Sequence, residues 1–133
     1  MGIEQPILHN GGMSIASTIT FLRVADLDRS HAFYAEGLGL KLILDQGGCR
    51  IYRLTDAAYL GVCESSDPGS SNVIVTIVTN DVADWHGRFT SAGAKVDGPP
   101  RDNPEYRIHH FFANDPDGHL LEIQRFWDDD WAG

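Results

Sequence analysis

Leu38-Gly39-Leu40-Lys41-Leu42 returns 54 residues later as Ala92-Gly93-Ala94-Lys95-Val96, and this pair decides the fold. Each copy reads as the last apolar residue of a helix, a glycine that stops it, and the first residues of a strand. The surrounding chain keeps the offset. Asp81 follows Asp26 by 55 residues and Phe89 follows Tyr34 by 55. Repetition at a fixed interval signals a duplicated structural unit, and it is the strongest signal in this sequence.

Worked outward, each copy predicts the same order of elements. In the first, the β-rich run Ser17–Val24 meets Asp26, a good helix N-cap. Leu27, Ser30, His31, Phe33, Tyr34 and Leu38 then follow at helical spacing. Gly37 and Gly39 end that helix, and strands are expected at Lys41–Asp45, Cys49–Leu54 and Ala58–Glu64. Residues 65–72, Ser-Ser-Asp-Pro-Gly-Ser-Ser-Asn, have the composition of a connector. The second copy predicts a strand at Val73–Thr79, Asp81 as N-cap, and one apolar helix face of Val82, Trp85, Phe89 and Ala92. A short strand at Lys95–Asp97, a loop with Pro99, Pro100 and Pro104, a strand at Tyr106–Ala113, the turn Asn114–Gly118 and a strand at His119–Phe126 complete it. The fold class is α+β, with two βαβββ modules at 17–64 and 73–126 in one domain. Residues 1–16 are expected as a flexible N-terminal arm and 127–133 as a tail. A four-stranded sheet under one helix buries only one face, so two such units pack together and leave open sheet faces for a ligand.

Composition removes several function classes. The chain has 133 residues, room for one sizeable core, and a formal charge of −9 with no cluster of basic and aromatic side chains. Nucleic acid is not an expected partner. No apolar run approaches a membrane span and the N-terminus lacks a secretion signal, so no membrane contact and a cytoplasmic location are expected. Cys49 and Cys63 form no metal-spaced cluster and are expected as two reduced, mostly buried thiols.

Val24-Ala25-Asp26-Leu27-Asp28-Arg29-Ser30, Phe33-Tyr34, Leu38-Gly39-Leu40 and Asp115-Pro116-Asp117-Gly118-His119-Leu120-Leu121-Glu122-Ile123 together resemble the vicinal-oxygen-chelate superfamily of glyoxalases, bleomycin-resistance proteins and dioxygenases. The likeness runs from about Ser17 to Phe126. It implies a cupped half-barrel site, commonly completed by dimerisation, with a divalent metal held by inward side chains on the first and last strands of each module. Carried over residue by residue, the two histidine positions hold Ile19 and Ile74, and the first-module glutamate position holds Gly61. Only Glu122 remains. One carboxylate falls short of the three or more protein ligands of a tight site, so no metal or other cofactor is expected, a divalent metal being the alternative.

Strand alternation puts Glu122 on one face with Leu120, Gln124 and Phe126, and the family pattern adds His110 and Phe112 beside it. The expected pocket is therefore Phe21, Arg23, His110, Phe112, Glu122 and Gln124. His110 and Glu122 are the catalytic candidates, as an acid/base couple or a weak metal pair. The alternative is that His110 is a hydrogen-bonded pocket residue and Glu122 is structural. Arg23 meets either an anionic ligand group or a neighbouring acid. Cys63 lacks an adjacent base, His109 points away, His119 sits in a turn, and His31 and His86 lie on helices. Tyr59, Trp85 and Trp127 read as core or interface aromatics.

Three functions compete: metal-independent capture of an amphipathic or aromatic small molecule, as in bleomycin resistance; a lyase, isomerase or dioxygenase built on His110 and Glu122; and a protein with a vestigial pocket. Capture leads because the metal ligands are missing. A homodimer is expected through the first strands of both modules and the Trp127–Trp131 tail, since open half-barrels leave strand edges and apolar walls exposed.

Overall fold

The computed structural model describes residues 8–10, 13–69 and 72–128. It opens with a hairpin, β1 (Leu8–Asn10) against β2 (Met13–Ile15), which pair only with each other. The segment expected as an arm thus carries local structure, which its lack of apolar periodicity did not reveal.

The first module is β3 (Thr18–Val24), α1 (Leu27–His31), a π-helical stretch at Ala32–Gly37, then β4 (Lys41–Asp45), β5 (Cys49–Thr55) and β6 (Ala58–Glu64). Its sheet runs β3-β6-β5-β4, with β3 parallel to β6 and the other pairs antiparallel. Asp26 caps α1 by accepting from the backbone N–H groups of Asp28 and Arg29, as its residue type predicts. The second module repeats the order with β7 (Ile74–Val78), α2 (Val82–Ser91), β8 (Lys95–Val96), β9 (Arg101–Asn103), β10 (Ile108–Asn114) and β11 (Leu120–Phe126). Here the order is β7-β11-β10-β8, with β9 pairing β10 beyond β8. Asp81 precedes α2 without a side-chain capping bond; its own N–H donates to Thr79 Oγ1 instead. β9 lies in the proline-containing stretch that sequence reasoning read as loop.

Both modules share one core. Leu22, Val24, Leu60 and Val62 of the first sheet and Phe111, Ala113, Leu121 and Ile123 of the second are buried with Phe33, Tyr34 and Phe89 of the helices. Phe33 and Phe89 meet edge to face at 6.1 Å across the module boundary. Gly37 lies there too: a Cβ on it would stand 2.7 Å from the Ala92 Cβ, so the helical segments approach as closely as glycine allows.

Asp115-Pro116-Asp117-Gly118-His119 clasps the two modules. Asp115 accepts from the Tyr34 hydroxyl at 2.7 Å and from the backbone N–H of Asp117 and His119. Asp117 accepts from Ala25 N at 2.9 Å and Arg29 at 2.6 Å, and His119 Nε2 donates to Arg23 O at 2.7 Å. Burial, and then the Asp115 charge, raise the Tyr34 hydroxyl pKa well above its ordinary value.

The cysteines depart from expectation. Cys49 and Cys63 are directly opposite in the β5–β6 ladder, 4.1 Å apart at Cα, and are joined as a disulfide rather than left as two thiols. Glu64 N donates to Gly48 O beside them, which makes theirs a non-hydrogen-bonded pair, the closer of the two antiparallel spacings. Spacing along the chain carries no register, so the pairing was invisible there. Among the described residues no helix is long and apolar enough to cross a membrane.

Candidate functional site

Away from the core, each sheet has a second face. In the second module this face forms a concavity of about 480 Å³ lined by Ile74, Asn103, Tyr106, Ile108, His110, Phe112, Glu122, Gln124 and Phe126. That volume lies within the roughly 300–1,000 Å³ usual for small-molecule sites. Strand register assembles it. Phe112 stands opposite Glu122 and His110 opposite Gln124 in the antiparallel β10–β11 pair, while parallel β7 sets Thr76 beside Glu122. Alternation turns Phe111, Ala113, Leu121 and Ile123 into the core and leaves their neighbours to the cavity.

Glu122 is the hub. Its Oε2 accepts from His110 Nδ1 at 2.8 Å and its Oε1 from Thr76 Oγ1 at 3.1 Å. The Gln124 amide matches its surroundings with its nitrogen toward Glu122, 3.3 Å from Oε1 and 3.1 Å from Oε2. Three donor groups thus surround one carboxylate, which has approximately four lone-pair sites. The His110 side chain is 8% exposed and that of Glu122 13%, so the pair is nearly dry. His110 also packs edge to face on Phe112 at 5.2 Å between centroids. Phe112 is held from behind: its N–H donates to Asp97 at 3.0 Å, and Arg101 grips the same carboxylate at 2.5 and 2.8 Å. The Arg101 hydrogen bonds outweigh partial burial and hold Asp97 down to about 2.

Four of the six expected pocket residues, His110, Phe112, Glu122 and Gln124, come together. Phe21 and Arg23 do not join them. They lie on the first sheet and line a separate recess of about 110 Å³ with Thr20, Leu22, Gly69, Val73 and His119. Strand parity gives the face of a sheet but not the placement of one sheet against another, so it does not say which recess these two side chains line. Arg23 approaches Asp67 at 3.9 Å with both side chains well exposed, a contact of little weight. His109 pairs with Asp102 at 3.0 Å on the other face, His31 meets the Tyr52 hydroxyl at 2.8 Å, and His86 the Gly98 carbonyl at 3.0 Å. Cys63 is in the disulfide and offers no nucleophile. Trp85 packs against Phe89, and the Arg107 guanidinium lies over the Trp127 ring. The rest of the tail, 129–133, lies outside the described residues. Sequence reasoning missed Thr76; the available signal was its place two residues beyond Ile74, on the same face of the strand.

A divalent metal does not fit these residues. Ile19 and Ile74 carry no donor atom, and the Phe21 ring covers Gly61 so closely that a Cβ there would lie 2.3 Å from it. Glu122 is already engaged by three neighbouring donors. Among the described residues no group of three or more His, Cys, Asp or Glu is arranged to hold a metal ion.

Solved structures share this architecture. A glyoxalase-related enzyme from Fulvimarina pelagi superposes with a TM-score of 0.69 at 21% identity, covering 80% of this chain and 85% of its own. TioX from Micromonospora sp. ML1 gives 0.69 at 23%, covering 82% and 97%. A glyoxalase/bleomycin resistance protein/dioxygenase from Alicyclobacillus acidocaldarius gives 0.72 at 20%, covering 88% and 96%. At such identities the likeness is one of fold. No curated protein matches the sequence. The family model for the glyoxalase/bleomycin resistance protein/dioxygenase superfamily matches residues 15–123, nearly the whole described chain. With the duplicated βαβββ fold and that match in agreement, the chain belongs to the glyoxalase/bleomycin resistance protein/dioxygenase superfamily.

Proposed function

We propose that this protein captures an amphipathic or aromatic small molecule in the second-module cavity, without a metal and without chemical conversion, as bleomycin-resistance-type sequestration does. One observation carries the reading: the only carboxylate at a family ligand position is already hydrogen-bonded by His110, Thr76 and Gln124. Most of the remaining lining is an apolar and aromatic wall of Ile74, Ile108, Phe112 and Phe126. Burying aromatic area against such a wall contributes about 25 cal/mol per Å².

The same reading includes a homodimer. Ile19, Phe21 and Leu44 are 43–50% exposed on the open face of the first sheet, and a second copy is the occupant that would withdraw them from water. Sedimentation at micromolar concentration is expected to give twice the chain mass; a monomer throughout contradicts it.

Naphthalene-sized aromatic probes are expected to raise the melting temperature with or without chelator, and Phe112→Ala to weaken their binding about tenfold by removing wall area. Stabilisation that requires added Zn, Mn, Ni or Fe would overturn the proposal.

A second reading has its own support in the 2.8 Å His110–Glu122 contact. In it Glu122 orients the imidazole and His110 Nε2 accepts a proton from a bound acid, as a general base. Turnover abolished by His110→Gln would favour it over capture.

A further inference from the structure

We infer that the cavity selects aromatic ligands that present an N–H or O–H donor to its Glu122 end, and discriminates against carboxylates. This rests on the capture reading and adds the ligand class. An ionised carboxylate only accepts hydrogen bonds, so each group touching it must turn a donor inward. For His110 that fixes the proton on Nδ1, since Nδ1 faces Glu122 Oε2 at 2.8 Å. In its neutral form the ring then carries a lone pair on Nε2, the nitrogen turned away from Glu122. Gln124 follows the same logic: its NH₂ group faces both Glu122 oxygens, so its carbonyl oxygen points elsewhere as an acceptor.

One buried carboxylate thus sets the polarity of the cavity's inner end. His110 Nε2 and Gln124 Oε1 are both acceptors, and both side chains line the space with Ile108, Phe112 and Phe126. Asn103 is the exception that shows the limit. Its oxygen caps the N–H groups of Glu105 and Tyr106, which leaves its amide nitrogen as a donor, but it stands opposite Ile108 on β9, away from Glu122. A phenol, an indole or an ammonium on an aromatic body satisfies the inner end. An ether of the same shape displaces water from these acceptors without replacing its hydrogen bonds, and a carboxylate adds repulsion from Glu122. The net charge of −9 works in the same direction.

The test uses the full chain and four probes of one shape: naphthalene, 2-naphthol, 2-methoxynaphthalene and 2-naphthoate, with Kd from titration calorimetry. The naphthol is expected to bind about tenfold more tightly than the methoxy compound, with the naphthoate weakest. Within His110→Phe the naphthol is expected to fall to the level of the ether, read as the ratio of the two Kd values on that variant; within Gln124→Leu the same ratio is expected to shrink by less. If naphthalene binds but naphthol and ether agree within about twofold, or the naphthoate is tightest, donor selection is wrong and capture stands. If none of the four binds, the capture reading falls and this inference with it.

Discussion

Position for position, the open face of the first module carries Ile19, Phe21, Gly61 and Cys63 where the second carries Ile74, Thr76, Glu122 and Gln124. The ladders align them further. Cys49 stands opposite Cys63 as His110 stands opposite Gln124, and Ile51 opposite Gly61 as Phe112 stands opposite Glu122. One module therefore fills the equivalent ground with a disulfide and a phenylalanine ring lying on a glycine. The other places an imidazole, an amide and a carboxylate around a cavity. The core faces, by contrast, stay alike in kind: Leu22, Val24, Leu60 and Val62 against Phe111, Ala113, Leu121 and Ile123. The scaffold is present twice, and the polar cluster stands in the second copy.

The most severe way to break this pairing is at the clasp. Asp115→Ala leaves the buried Tyr34 hydroxyl and two backbone N–H groups without their acceptor, and should cost about 3 kcal/mol in urea unfolding. Because the core is shared, the loss should appear as one cooperative transition. A loss under about 1 kcal/mol, or two separated transitions, would show the modules to be independent.

The disulfide sharpens the contrast with a smaller effect confined to the first module. Its 14-residue separation predicts about 2–3 kcal/mol of stabilisation, lost in the double Cys49→Ser, Cys63→Ser variant. Reductant should destabilise the wild type and leave that variant unchanged. Ligand affinity should not move, since neither cysteine lines the second-module cavity.

Proton linkage gives the smallest effects, one at each end of the pH scale. Tyr34 has a raised pKa, so its contribution is whole below about pH 10, where an exposed tyrosine ionises, and is lost as pH rises beyond it. Asp97, backing Phe112, is the opposite case. Its pKa is depressed to about 2, so its contribution is present above the ordinary carboxylate range and disappears as pH falls toward 2. Asp97→Asn should narrow the acid limb of the stability profile, and Tyr34→Phe the alkaline dependence; unchanged profiles would remove both groups from the account.

Much of the scaffold was legible in the sequence because a repeat is a one-dimensional property. The 54- and 55-residue offsets located both helices and most strands. Alternation sufficed for Gln124 and Phe126, which share a strand with Glu122. It does not reach the placement of Phe21 and Arg23, which depends on how two sheets are set against each other, nor the part of Thr76, which depends on β7 lying parallel to β11 in register. The disulfide required the β5–β6 register, and the π-helical stretch at Ala32–Gly37 left the apolar spacing intact while altering the hydrogen-bond pattern.

The central claim is that the second module alone holds the ligand site and needs no metal. Backbone amide shifts recorded while 2-naphthol is titrated into chelator-treated protein test it most directly. The account predicts saturable changes centred on Ile108–Asn114 and Leu120–Phe126, with Cys49–Thr55 and Ala58–Glu64 little affected. Changes centred on the first-module strands, or changes that appear only after a divalent metal is restored, would contradict it.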